Sequence, residues 1–308
     1  MAYDIIGDVH GHADRLEALL RKMGYGHRSG AWRHPSRSAI FVGDLIDRGA
    51  HQVRTLEIVR DMIDAGSARA TMGNHEFNAI AWATPHPDQP GDHLRTRSGE
   101  KGRKNRQQHQ AFLADVGEDT PEHAAWIAWM FNLPVWIEEP DLRVVHACWS
   151  PRHVEEVRPH LRDGGRMTAE LLDQASRKGS TLFHAVETLL KGEEVALPGS
   201  SSFIDKDGHE RRSIRTKWWD PGLTTYRETC IGLSPEAVPD EPISCRVPIP
   251  EPDRVTFVGH YWLSSGSGLA PRSPKVGCVD YSAGKGGPLV AYRFDGEREL
   301  GAEKFIAA

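Results

Sequence analysis

Six side chains able to hold a divalent cation stand just beyond short apolar runs. Asp8 and His10 follow Tyr-Asp-Ile-Ile, Asp44 follows Ala-Ile-Phe-Val, Asn74 follows Arg-Ala-Thr-Met, His146 follows Leu-Arg-Val-Val, and His260 follows Val-Thr-Phe-Val. Each has an ordinary explanation when taken alone. A Gly-Asp after a strand is commonly a turn, and Asn74-His75-Glu76 reads equally as a helix start with an Asn cap and a dipole-favouring Glu. Recurrence at five runs is the signal, because ligands of open α/β sheets bind at the carboxyl ends of the strands. Oxygen and imidazole donors without thiolate suit Mn, Fe or Zn. Asp8 and His10 lie two apart, so in an extended segment both point the same way and can share one ion. Asp44 can bridge to a second ion, with Asn74, His146 and His260 completing it. Two ions about 3.5–4 Å apart form the clamp used for in-line displacement at phosphorus.

The elements that must present these residues follow from the hydrophobic pattern. Strands are predicted at residues 3–6, 39–42 and 69–72, alternating with helices at 13–23, 53–63 and 76–83. That order implies parallel pairing with right-handed crossovers. Residues 85–106 read as a polar loop whose charge run Lys101, Arg103, Lys104 and Arg106 is either a solvated surface or a positive rim over an anionic substrate. Helical pattern resumes at 107–116 and 123–131, and further strands are expected at 133–137, 142–145, 255–258, 276–279 and 289–293. Between about 150 and 254 the pattern loosens, with short helices at 169–176 and 181–190. Six prolines in residues 235–252 make that stretch extended and irregular. The expectation is a single domain over residues 1–308 with an irregular insertion or lid at about 150–254.

Composition narrows the class. The 308 residues carry 38 basic and 43 acidic side chains, a net charge of −5, which gives no support to stable nucleic-acid or anionic-membrane binding. No apolar run approaches the ~18 residues of a membrane helix. Cys148, Cys230, Cys245 and Cys278 show no metal or disulfide spacing. A cytoplasmic protein with reduced thiols is expected.

Gly7-Asp8-Val9-His10-Gly11, Gly43-Asp44-Leu45-Ile46-Asp47-Arg48-Gly49 and Gly73-Asn74-His75-Glu76 resemble the three signature blocks of the calcineurin-like metallophosphoesterases, most closely the phosphoprotein phosphatase branch. The later histidines His146 and His260 complete the set. The chain departs from the eukaryotic protein phosphatases at Ala147-Cys148-Trp149, where they carry Gly-Gly-Leu. The resemblance implies a four-layer α/β sandwich of two mixed β-sheets flanked by helices, and two divalent metal ions. It implies Asp8 and His10 on the first ion, Asp44 bridging, and Asn74, His146 and His260 on the second. Arg48 is then expected to grip phosphate through its planar fork. His75 is expected to protonate the leaving group, Asp47 to orient His75, and a metal-bridging hydroxide to attack. A second phosphate contact is expected from the C-terminal half, with Arg215 preferred over Arg211 and Arg212. The expected substrate is a phosphorylated protein or a small phosphomonoester; the alternatives are a dinucleoside polyphosphate or nucleotide phosphodiester, or a non-catalytic metal-binding scaffold. Trp149 reads as core or pocket wall, Asp280 as a partner of a ligand histidine or a turn residue, and residues 284–287 as a hairpin turn.

Overall fold

Alternating side chains in the short strands create two apolar faces, and both are buried. The computed structural model describes residues 2–204, 210–243 and 246–308; Cys245 lies outside them. One sheet is built from β1 (Ala2–Ile6), β2 (Arg37–Phe41), β3 (Ala68–Ala70), β8 (Val290–Phe294) and β9 (Phe305–Ala307), in the order β9-β8-β1-β2-β3. β1, β2 and β3 are parallel, whereas β8 and β9 are antiparallel additions. The other sheet has β4 (Trp136–Glu138), β5 (Leu142–Val145), β6 (Val255–Val258) and β7 (Val276–Cys278), in the order β7-β6-β5-β4. There β5, β6 and β7 are parallel and β4 is antiparallel. Both sheets are mixed, as expected.

The period of two explains the layering. Tyr3 and Ile5, Ile40 and Val42, Leu142 and Val144, and Val255 and Phe257 fill one cluster between the sheets. Their neighbours Ile6, Phe41, Val145 and Val258 face outward into a larger cluster made with the helices. On one side lie α1 (Ala13–Lys22), which buries Leu16, Leu19 and Leu20, and α2 (Gln52–Asp64), which buries Leu56, Val59 and Met62. The remaining helices near the first sheet are α3 (Asn74–Ala83), α4 (Gly99–Val116) and α5 (Pro121–Met130). The result is the four-layer sandwich.

Two segments differ from expectation. α4 begins at Gly99, so Lys101, Arg103, Lys104 and Arg106 are helical rather than in a loop. Gly102, Asn105, His109, Phe112, Leu113 and Val116 form its buried face, and the four cations are exposed on the opposite side. Within residues 150–254, α7 (Ala169–Ser176) and α8 (Thr181–Lys191) form where expected, α6 (Pro151–Val157) was not foreseen, and the three bury Val154, Val157, Leu171, Leu172, Leu189 and Leu190 in the main core. From residue 192 the chain forms two- and three-residue strands over a separate small cluster of Val195, Leu197, Ile214, Tyr226, Cys230 and Val238. No helix among the described residues is long and apolar enough to cross a membrane.

Candidate metal centre and catalytic site

The C-terminal ends of β1, β2, β3, β5 and β6 deliver Asp8, His10, Asp44, Asn74, His146 and His260 to one end of the sandwich, all of them buried. The loops carrying them bind one another directly. His10 N–H donates to Asp44 O (2.9 Å), Gly11 N–H to Leu45 O (2.8 Å) and Gly49 N–H to His10 O (2.8 Å). Glu76, fully buried, accepts from the amides of Asp44, Leu45 and Gly73 at 2.8–2.9 Å and so ties the second and third loops together. Such close approach excludes side chains. A Cβ on Gly73 would lie 2.2 Å from Asp44 Oδ1, and one on Gly259 2.0 Å from Asp8 Oδ1.

The backbone is strained where the chemistry sits. His10, Asp44, Asp47, Arg48, His260 and Trp262 all have φ between +48° and +80°. Each such residue costs on the order of 1–3 kcal/mol and persists only where its surroundings fix it. His10 therefore aims its ring through a left-handed turn, not through the pleat of an extended segment as the spacing from Asp8 implies. The donor atoms themselves test whether a cation fits. His10 Nδ1–H donates to Ile46 O (2.8 Å), and its Nε2 is buried without a partner. His146 Nδ1–H donates to Val42 O (2.8 Å), yet its Nε2 faces Asn74 Oδ1 at 3.1 Å and Asp44 Oδ2 at 3.3 Å. In the neutral ring that nitrogen is an acceptor meeting acceptors. His260 Nδ1 lies 2.7 Å from the same Asn74 oxygen. Asp8 accepts from the His260 amide through Oδ2, while its Oδ1 is buried and unpartnered. Lone pairs converging without protons between them are what a cation satisfies.

Two sets of His and Asp atoms lie within 4.8 Å of one another: His10 with Asp44 and His75, and Asp44 with His146 and His260. Asp44 belongs to both, the position of a bridge. Asp8 stands outside both sets, and His75, which sequence reasoning assigns to proton transfer, falls inside one. Burial, then the charges of Asp280 and Asp44, pushes the Asp8 carboxyl well above the usual range. Burial acts the same way on Asp44, but His146, His75 and His10 outweigh it and hold Asp44 well below that range. Carboxylates buried this closely call for a positive partner.

His75 and Asp47, expected to act as a pair, do meet. His75 Nδ1 is 2.5 Å from Asp47 Oδ2, and its Nε2 lies 3.8 Å from Asp44 Oδ2. Burial alone would lower His75, but Asp44 and Asp47 raise it to about 8. Asp47 is held well below the carboxylate range, its burial outweighed by His109 and His75. Arg48 is exposed, makes no ion pair among the described residues, and lies 5.7 Å from the centre of the Trp262 ring. Lys285, 4.6 Å from that ring, is likewise unpaired, and Trp262 stacks on His10 with ring centres 5.3 Å apart. Arg215, on a strand at Ser213–Arg215, is half-exposed and 3.7 Å from Glu194. Burial, and after it the charge of Arg215, holds His260 well below its ordinary value.

Several residues take structural roles instead. Trp149 is core, edge-on to Trp136. Asp280 accepts from the amides of Trp262 and Ser282, which makes it a turn residue and not a partner of a ligand histidine. Residues 284–287 form the tight connection before β8, pinned by Arg15 to Ala283 O and Gly287 O. Cys148 and Cys278 are buried, and burial pushes both thiols up. Sequence reasoning missed Gln52 and His109. Gln52, buried, accepts from Asp47 N–H (2.7 Å) and donates to Gly49 O (2.6 Å). His109 stands on the apolar stripe of α4, and a lone imidazole among Phe112, Leu113 and Val116 was its only signal.

Residues 1–158, half of the chain, match the family model described as calcineurin-like phosphoesterase. The chain is a calcineurin-like phosphoesterase. This phosphoesterase is 45% identical over 76 residues to the asymmetrical bis(5'-nucleosyl)-tetraphosphatase PrpE of Halalkalibacterium halodurans, a stretch of 24% of this chain and 31% of that one. It is 41% identical over 76 residues to the PrpE of Bacillus subtilis, again 24% and 31%. The chain thus spans about a third of the length of these curated relatives. In fold it is similar to a protein serine/threonine phosphatase of Saccharomyces cerevisiae, with TM-score 0.53, 12% identity, and coverage of 100% of this chain and 79% of the other. A calcineurin-like phosphoesterase is a hydrolase of phosphoesters, and its His and Asp groups here can hold metal ions.

Proposed function

We propose that this phosphoesterase hydrolyses phosphomonoesters, on phosphoserine/threonine proteins or small molecules, by in-line displacement at a dinuclear metal centre. Asp8 and His10 would hold the first ion, Asn74, His146 and His260 the second, and Asp44 would serve both, with Mn, Fe or Zn suited to the donor set. When bound, the ions neutralise phosphoryl oxygens and make water a nucleophile near neutral pH. Arg48, without a carboxylate partner among the described residues, grips phosphate oxygens through two parallel N–H bonds. His75 gives its Nε2 proton to the departing alkoxide and keeps its Nδ1–H on Asp47. The observation that carries this reading is His75 itself: anchored at 2.5 Å to Asp47, it aims its other nitrogen at the edge of the converging ligand set. A non-catalytic scaffold has no use for that acid.

A second reading, hydrolysis of a dinucleoside polyphosphate, is favoured by the stretch shared with PrpE and by the unpaired Arg48 and Lys285 against one indole. Turnover of a phosphopeptide, para-nitrophenyl phosphate and diadenosine tetraphosphate by Mn-loaded protein separates the two. Comparable or higher kcat/KM on the monoesters supports the first reading. A preference above ~10²-fold for diadenosine tetraphosphate, about 2.7 kcal/mol of transition-state binding, reverses the order.

A further inference from the structure

Asp47 has two oxygens and uses both on histidines. Oδ2 takes His75 Nδ1 at 2.5 Å, and Oδ1 takes His109 Nδ1 at 2.9 Å from the buried face of α4, 62 residues further along the chain. We infer that His109 is a positioning residue for proton transfer: by donating to Asp47 Oδ1 it fixes the plane of that carboxylate and thereby the direction in which His75 presents its Nε2–H. This inference rests on the acid role proposed above for His75.

The surroundings support a role beyond packing. His109 is 4% exposed and packs against Phe112 with ring centres 5.0 Å apart. A carboxylate only accepts, so the Nδ1 of His109 carries the proton toward Asp47. Its Nε2 is buried with no partner, which is costly for a polar group. Apolar packing alone favours Phe or Leu at this position, and among the described residues the one hydrogen bond that the ring makes is to Asp47.

Geometry gives the reason for a second donor. Asp47 and Arg48 are adjacent and both left-handed, with φ of +70° and +80°. Arg95 is near as well, its guanidinium feeling the charge of Asp47. A carboxylate with one free oxygen can rotate toward either guanidinium, drawing Arg48 away from phosphate and loosening the bond to His75. His109 occupies the free oxygen. The Asp47 amide is held from the other side by Gln52 Oε1, so backbone and carboxylate are both fixed.

The test uses the full-length Mn-loaded protein and a series of phosphomonoesters whose leaving groups run from p-nitrophenol to simple alcohols. His109→Leu is expected to lower kcat by a factor that grows with leaving-group pKa, on the order of tenfold larger for an alkyl than for the p-nitrophenyl ester. KM should change much less. His109→Asn, whose amide nitrogen falls where Nδ1 sits, should restore most of kcat; His109→Gln, which places its nitrogen near Nε2, should not. The downfield NMR signal of the His75 Nδ1 proton should move in the Leu variant and return in the Asn variant. A loss in kcat equal across all leaving groups overturns the inference, as does rescue by Gln equal to or better than by Asn. If the Leu variant does not fold, the Asn and Gln pair decides. His75→Ala is the control: if it shows no leaving-group dependence, the acid assignment itself fails and this inference with it, whereas a steep dependence there and a flat one in His109→Leu defeats the inference alone.

Discussion

The strand-end loops and residues 192–254 solve opposite problems. The loops crowd buried carboxylates, imidazoles and six strained non-glycine backbones into one end of the sandwich. Buried side chains hold three of those backbones and their neighbours: Glu76 binds the amides of Asp44, Leu45 and Gly73, Gln52 binds Asp47 and Gly49, and Asp280 binds Trp262 and Ser282. The later segment uses very short strands over a small apolar cluster of its own. It is fastened to the site by a few large groups. Trp218 Nε1–H donates to Ala147 O at 3.1 Å, as Tyr261 O–H does at 2.9 Å, and Trp219 packs edge-on to Tyr261. Arg215 stands three residues before Trp218. The lesson is a division of labour: the candidate ligands sit in a region dense with buried hydrogen bonds, and Arg215 in one of short strands over a small cluster.

Removing the ions is the strongest way to break this picture. Chelation should abolish phosphatase activity and Mn²⁺ should restore it; full activity of protein shown metal-free by elemental analysis ends the case. His75→Ala comes next, with ~10²–10⁴-fold slower turnover of alkyl phosphates and unchanged metal content. Unaltered turnover there removes His75 from proton transfer. The same residue sets a pH limb. His75 is raised to about 8 and acts in its protonated form, so kcat on poor leaving groups should fall as pH rises through about 8. Its protonation also stabilises the fold fully below about pH 6.5, its ordinary value, and that contribution is lost as pH passes the raised value. A pH profile without that limb in wild-type protein contradicts the assignment. Arg48→Lys should lower kcat/KM by roughly tenfold, because a point charge replaces a planar fork. The smallest effect belongs to the short-strand region. Arg215→Ala should raise KM by about fivefold at most, since a partly exposed charge contributes about 1 kcal/mol or less. A larger effect on kcat than on KM places Arg215 among the fixed groups instead.

Much of the site was readable because its elements are short and local. Strand, glycine and ligand follow one another within a few residues, so Asp8, Asp44, Asn74, His146 and His260 could be found from pattern alone. Periodicity also placed α1, α2, α7 and α8 within about two residues of their observed bounds. α4 was read eight residues too short, because Gly99, Gly102 and a run of cations hide a buried face that only the packing of Asn105 and His109 reveals. β9 went unread since three residues at the chain's end carry little pattern until they pair with β8.

The sequence alone determined which side chains could take a cation or a phosphate and that they stand at strand ends, because type and order are written in the chain. Only the tertiary structure decided that Asp44 lies between two imidazole sets, that Glu76 staples loops 31 and 32 residues away, and that His109 meets Asp47. Those contacts depend on how two sheets and a helix pack, and hydrogen bonds between distant residues leave no periodic trace in a single sequence.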